Sequence, residues 1–114
     1  MRHPGWCDHG RIAARFAVCL MVMIPAARAA DGAALFADNC ASCHGVDGRA
    51  GTPAGRKVHA KDLSLSKLTD AEIERQIKAG RQDSRGVFIM PPFKDRLSDE
   101  DISALISVVK SFRK

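Results

Sequence analysis

Residues 40–44 read Cys-Ala-Ser-Cys-His, and this pentapeptide limits what the chain can become more than any other feature. On a helix, positions i, i+3 and i+4 share one face, so two thiols and an imidazole at Cys40, Cys43 and His44 can address a single flat ligand. Cys-x-x-Cys-His is the attachment signature of c-type haem, with thioether bonds from the cysteines and an iron ligand from the histidine. One covalently bound haem c is the expected cofactor, held by Cys40 and Cys43 with His44 as proximal ligand. Two other chemistries use paired cysteines. A thioredoxin-like dithiol needs a strand before its motif and an α/β pattern after it, whereas a helical pattern precedes this one. A zinc site needs two ligands beyond the cysteine pair, and after residue 29 only His44 and His59 could supply them.

The ends and totals narrow the class. Arg2, Arg11 and Arg15 flank or precede an apolar run over 16–27, and Ala27-Arg28-Ala29 offers small residues at a cleavage position. This pattern predicts a secretory signal peptide over 1–29, cleaved after Ala29, and one domain over 30–114. The run is about 12 residues, short of the roughly 20 that a spanning helix needs, so no stable membrane insertion is expected and the destination is the periplasm. Cys7 and Cys19 leave with the leader, so no thiol remains for a structural disulfide. The 85 residues that stay are marginal for a self-sufficient apolar core. A covalently held haem would complete it.

The formal charge of +5 also belongs partly to the leader, which carries four arginines and one aspartate. The remainder has 14 Lys and Arg against 12 Asp and Glu, a balance of +2. A nucleic-acid partner would call for a strongly basic, clustered surface, and none is expected here.

Three helices are legible. Ala33, Phe36, Ala37 and Cys40 recur at helical spacing and predict a first helix over about 31–43 that runs into the haem motif. Thr69 and Glu72 form a capping box; Ile73 and Ile77 follow on one face and Gly80 closes the segment, which predicts a helix over 70–79. Ser98 caps the third, acidic residues at 99–101 suit its N-terminal dipole, and Ile102, Leu105, Ile106, Val109 and Phe112 form its buried stripe. The stretches 45–68 and 81–97 have no period. Loops that long fit a small domain only where they wrap a cofactor. No alternating apolar pattern exceeds a few residues, so essentially no sheet is expected.

An electron-transfer haem needs a sixth iron ligand. After residue 29 the chain holds one methionine, Met90, set directly before Pro91 in Met-Pro-Pro-Phe. Proline disfavours α conformation in the residue ahead of it and stiffens the loop. The Met90 sulfur is the expected distal ligand, although methionine more often fills cores. His59 is the rival, in a segment with Arg56, Lys57 and Lys61 that reads as solvated surface.

With these parts in order, residues 31–113 resemble the monohaem class I cytochromes c, most closely the c6-like and c-553-like bacterial proteins. The resemblance rests on Gly32-Ala33-Ala34-Leu35-Phe36, on Asn39 to Gly45, on Leu68 to Ile73, on Met90-Pro91-Pro92-Phe93 and on Leu97 to Leu105. It implies an all-α fold of three main helices and long loops around one haem, with His44 and Met90 as axial ligands. It also implies a crossing of the first and last helices at Gly32 and Phe36 against Leu105. Where such proteins often carry an aromatic residue near that crossing, this chain has Val108, and looser packing is expected there. The 51–63 loop follows the family less closely. Pro53 is taken as the source of the carbonyl that accepts the His44 Nδ1 hydrogen, and Leu63 as a residue packing on the ring.

The expected function is that of a soluble, monomeric periplasmic shuttle of single electrons, not an enzyme. Redox donors and acceptors would dock transiently at the exposed haem edge, with Lys57, Lys61, Lys94 and Arg96 in a salt-sensitive rim. Two alternatives stay open: a haem sensor or peroxidase-like enzyme with a displaceable sixth ligand, and a dedicated electron-accepting subunit of one dehydrogenase or oxidase.

Overall fold

The computed structural model describes residues 29–114. The expected signal peptide lies, apart from Ala29, outside the described residues. The Asp31 carboxylate accepts the Ala34 N–H at 3.1 Å and so starts α1 (Gly32–Asn39). The backbone then breaks at Cys40, with φ −122° and ψ −35°, before α2 (Ala41–His44). The single helix expected over 31–43 is therefore two short helices. Its buried face differs too: Phe36 is buried and Gly32 and Leu35 are partly so, while Ala33 and Ala37 are exposed. The break frees α1 from the phase of the haem motif, so α1 turns toward its contact with α5 (Asp99–Ser111).

The expected capping box of one later helix and the expected Ser98 cap of the other both form, the second also as a capping box. In α4 (Asp70–Ala79) Thr69 and Glu72 exchange hydrogen bonds, and Ile73 and Ile77 are buried. In α5 the partner of Ser98 is Asp101, whose carboxylate accepts the Ser98 N–H at 3.1 Å while its own N–H donates to the Ser98 hydroxyl at 3.1 Å. Ile102, Leu105 and Val109 bury the inner face of α5, the first two only 1% exposed.

The two aperiodic stretches hold short regular pieces: α3 (Pro53–Lys57), a 3-10 turn over Leu63–Leu65, and a hairpin of β1 (Arg81–Gln82) and β2 (Phe88–Met90). The hairpin corrects the expectation of essentially no sheet. Its strands pair antiparallel, Arg81 opposite Met90 and Gln82 opposite Phe88, with an irregularity between the pairs. Strands of two and three residues are too short to print an alternation in sequence. The turn is nonetheless encoded: Asp83 accepts N–H groups from Arg85 and Val87 through its carboxylate, and Gly86 takes φ +80°.

Phe36, Ile73, Ile77, Phe93, Ile102, Leu105 and Val109 form one core. The α1/α5 crossing is close, because a Cβ on Gly32 would stand 2.7 Å from the Ala104 carbonyl oxygen and 2.9 Å from Val108 Cγ2. Val108 is half-buried and packs against the core. Phe112, one turn further on, supplies the aromatic contact, its ring centroid 5.0 Å from that of Phe36 and tilted by 52°. No helix among the described residues is long and apolar enough to cross a membrane.

Candidate cofactor cleft

His44 ends α2, and the turn after it is tied down by hydrogen bonds. The Thr52 hydroxyl donates to the Ser42 carbonyl at 2.7 Å, lies 3.2 Å from that of Cys43, and accepts the Gly55 N–H at 2.9 Å as the N-cap of α3. Past α3 the chain returns, with Ala60 N–H donating to Gly55 O and Leu63 N–H to Gly48 O. That return brings the Lys61 carbonyl to 3.0 Å from His44 Nδ1. A carbonyl can only accept, so Nδ1 carries the hydrogen and Nε2 keeps its lone pair free. The carbonyl partner is thus Lys61, not Pro53, which opens α3 and whose carbonyl runs along that helix.

Burial pushes the His44 imidazole below its ordinary range; the Lys61 carbonyl works in the opposite direction, and the positive charge of Arg81 adds to the lowering. Burial also pushes the Cys40 thiol up to about 11. Both groups are held uncharged, as an apolar cleft requires. Cys40 and Cys43 are not joined to each other.

Met90 comes from a distant part of the sequence, in the segment that follows α4. Gly80 closes α4 with φ +68°, and a Cβ there would stand 2.5 Å from the Met90 carbonyl oxygen and 2.8 Å from Pro91 C. Immediately beyond, the Phe93 N–H donates to the Ile77 carbonyl at 3.0 Å, and the Phe93 ring is buried. The last turn of α4 is therefore the shelf on which Met90-Pro91-Pro92-Phe93 rests. Cys40, Cys43, His44 and Met90 all line one cleft of about 630 Å³, with Phe36, Leu63, Ile73, Ile77, Leu105 and Val109 among its apolar walls. That volume lies within the roughly 300–1,000 Å³ of small-molecule and cofactor sites. Thiols, a neutral imidazole with a free lone pair and a thioether, around apolar walls, are the donor set of a covalently attached haem, so the residues fit that group.

Leu63 lines the cleft, as expected, and Leu65 is 73% exposed at its margin. His59 does not line it: it is exposed and sits at φ +52° on a turn. Lys57, Lys61, Lys94 and Arg96 are all exposed, the last with its guanidinium 5.0 Å from the centre of the Phe93 ring. Two contributors have no counterpart in the sequence reading. Lys61 acts through its carbonyl, which carries no side-chain signature. Arg81 follows Gly80 where helical periodicity has stopped, and only the strand pairing with Met90 brings it to the cleft.

Several known proteins resemble this chain. Residues 27–107 match the family model described as cytochrome c oxidase, cbb3-type, subunit III. The chain is 37% identical over 80 residues to cytochrome c6 of Microcystis aeruginosa, spanning 69% of this chain and 90% of that protein. It is 35% identical over 88 residues to cytochrome c-551 of Stutzerimonas stutzeri, spanning 76% and 82%. Among solved structures, the KustC0563 c-type cytochrome superposes with a TM-score of 0.63 at 35% identity, covering 74% of this chain and 99% of that one.

Proposed function

Since this chain belongs to the c-type cytochromes, in the family of the cbb3-type subunit III model, and carries covalently bound haem c, we propose that it is a soluble, monomeric periplasmic shuttle of single electrons with His/Met axial ligation. Electron transfer is the function its relatives' names share; the location, the ligand set and the freely diffusing form are our reading. When bound, the haem supplies the one-electron couple. The residues do the rest. Cys40 and Cys43 anchor the ring, and His44, oriented by the Lys61 carbonyl, offers Nε2 as proximal ligand. Met90, on the loop after α4, offers its sulfur as distal ligand. Phe36, Ile73, Leu105 and their neighbours exclude water, which keeps the surroundings nearly unchanged when charge arrives or leaves.

The single observation that carries this reading is the convergence of Met90 with Cys40, Cys43 and His44 on one cleft from which His59 is absent. A tethered Met90 also disfavours a sensor or peroxidase-like role, since the sixth position would be filled. Optical spectra of the exported protein test the proposal. The expected result is a low-spin haem with the weak far-red ferric band of methionine sulfur on iron, lost in Met90→Ala together with a gain of carbon monoxide binding. A high-spin wild type that binds carbon monoxide would overturn it. A second reading, a dedicated subunit of one enzyme, is favoured by the oxidase description of the matched family model. Stable co-purification with one partner at high salt would select that reading, because transient docking through exposed lysines is screened away by salt.

A further inference from the structure

The cleft carries more positive than negative charge, and its most buried cation has no side-chain hydrogen bond or ion pair among the described residues. Lys61, Lys67 and Arg81 line it together with one carboxylate, that of Asp62. Asp62 is already engaged, its Oδ1 accepting the Ser64 N–H at 2.9 Å and the Ser64 hydroxyl at 2.6 Å. Lys61 and Lys67 are exposed to water, whereas Arg81 is half-buried. Among the described residues, the ion pairs are made by Lys78, Arg85 and Lys110, and none involves Arg81. The other half-buried arginine, Arg113, donates to the Leu68 carbonyl at 2.6 Å. Its Nε is buried without a partner, while the Arg81 side chain makes no hydrogen bond or ion pair among the described residues.

A half-buried arginine beside apolar walls gains from an acceptor that meets its guanidinium. The acceptor therefore arrives with the group that fills the cleft. Haem c is apolar over most of its ring and ends in two propionate carboxylates, the planar partner that a guanidinium fork matches best. We propose that Arg81 pairs with a haem propionate and, by compensating its charge, raises the reduction potential. This rests on the haem reading above and extends it to a residue acting on the cofactor's periphery. The sign follows from charge: the reduced centre carries one electron more than the oxidised one, so a nearby cation favours the reduced form. The position follows from the fold, because Gly80 and the Arg81–Met90 strand pair set the guanidinium and the distal ligand from one short segment.

Spectroelectrochemical titration of the exported holoprotein at low ionic strength, with Arg81→Gln and Arg81→Lys, tests the assignment. In Arg81→Gln the reduced-to-oxidised ratio at a fixed potential should fall about tenfold, which is about 59 mV for a one-electron couple. The far-red methionine band should persist. Arg81→Lys, which keeps the charge, should lie nearer the wild type. An unchanged midpoint in Arg81→Gln overturns the proposal. So does loss of the methionine band, which would make Arg81 a support of the Met90 strand instead of a partner of the cofactor. Failure of the underlying haem reading would show separately, as a wild type without the haem absorption, before any variant is made.

Discussion

At the scale of single residues, the site depends on side chains that never reach the cofactor. Thr52 uses one hydroxyl oxygen three ways: it caps α3 and tethers the carbonyls of Ser42 and Cys43, which are the two residues before His44. Replacing it with alanine removes an N-cap and leaves carbonyls with one donor fewer, an expected cost of about 2 kcal/mol. Denaturant unfolding of the holoprotein Thr52→Ala would check this, and a loss under a few tenths of a kcal/mol would show the tether to be idle. Glu72 offers a test by pH. The Thr69 N–H and then its hydroxyl hold the Glu72 carboxyl below its ordinary value of 4.5. A carboxyl whose folded pKa is depressed adds stability above the unfolded value, and that contribution disappears as pH falls through the folded one. The thermal midpoint of Glu72→Gln should therefore vary less than that of the wild type between about pH 5 and pH 3.

At the scale of elements, α4 is the part that turns sequence into a ligand position. Its capping box sets where it begins, and Gly80 sets where it ends and how closely the Met90 loop can approach. Alanine at 80 faces two penalties at once: φ +68° suits residues with a Cβ poorly, and that Cβ would press on the Met90 carbonyl. The backbone conformation at Gly80, φ +68° with ψ −165°, is essentially reserved for glycine and alone costs another residue roughly 1–3 kcal/mol. Gly80→Ala should therefore be destabilised by at least that amount and should lose intensity in the methionine band, read by thermal melting and optical spectra of the same sample. A stable variant with an intact band would mean that the loop is set from the α5 side. The α1/α5 crossing works similarly through Gly32, which lets the helices meet at backbone distance. There Phe112 supplies the aromatic contact with Phe36.

At the scale of the whole molecule, the protein part is a shell around a space of about 630 Å³. Without haem the apolar walls of the cleft, Phe36, Ile73, Leu105 and Val109 among them, lose their packing partner; burying each such side chain is worth about 1.5–3 kcal/mol, so together they are comparable with the entire stability of an ordinary domain. The double variant Cys40→Ser/Cys43→Ser, which cannot attach haem, should therefore lack a cooperative thermal transition and most of the far-UV helix signal of the holoprotein. A sharp melt in that variant would show that the seven-residue core around Ile102 and Leu105 suffices alone.

Local chemistry determined much of this protein directly from the sequence. The Cys40-Cys43-His44 spacing, the single methionine after residue 29, the Thr69 and Ser98 caps and the stripe of α5 each depend on neighbours a few positions apart, and such patterns survive in a linear string. What the tertiary structure alone decided depends on distant backbone. The break at Cys40 lets α1 dock on α5; the Lys61 carbonyl reaches His44 only because the chain turns back after α3; and a hairpin with strands of two and three residues aligns Arg81 with Met90. A carbonyl has no residue identity and a three-residue strand has no period, so neither leaves a mark until the chain is folded around the cleft they serve.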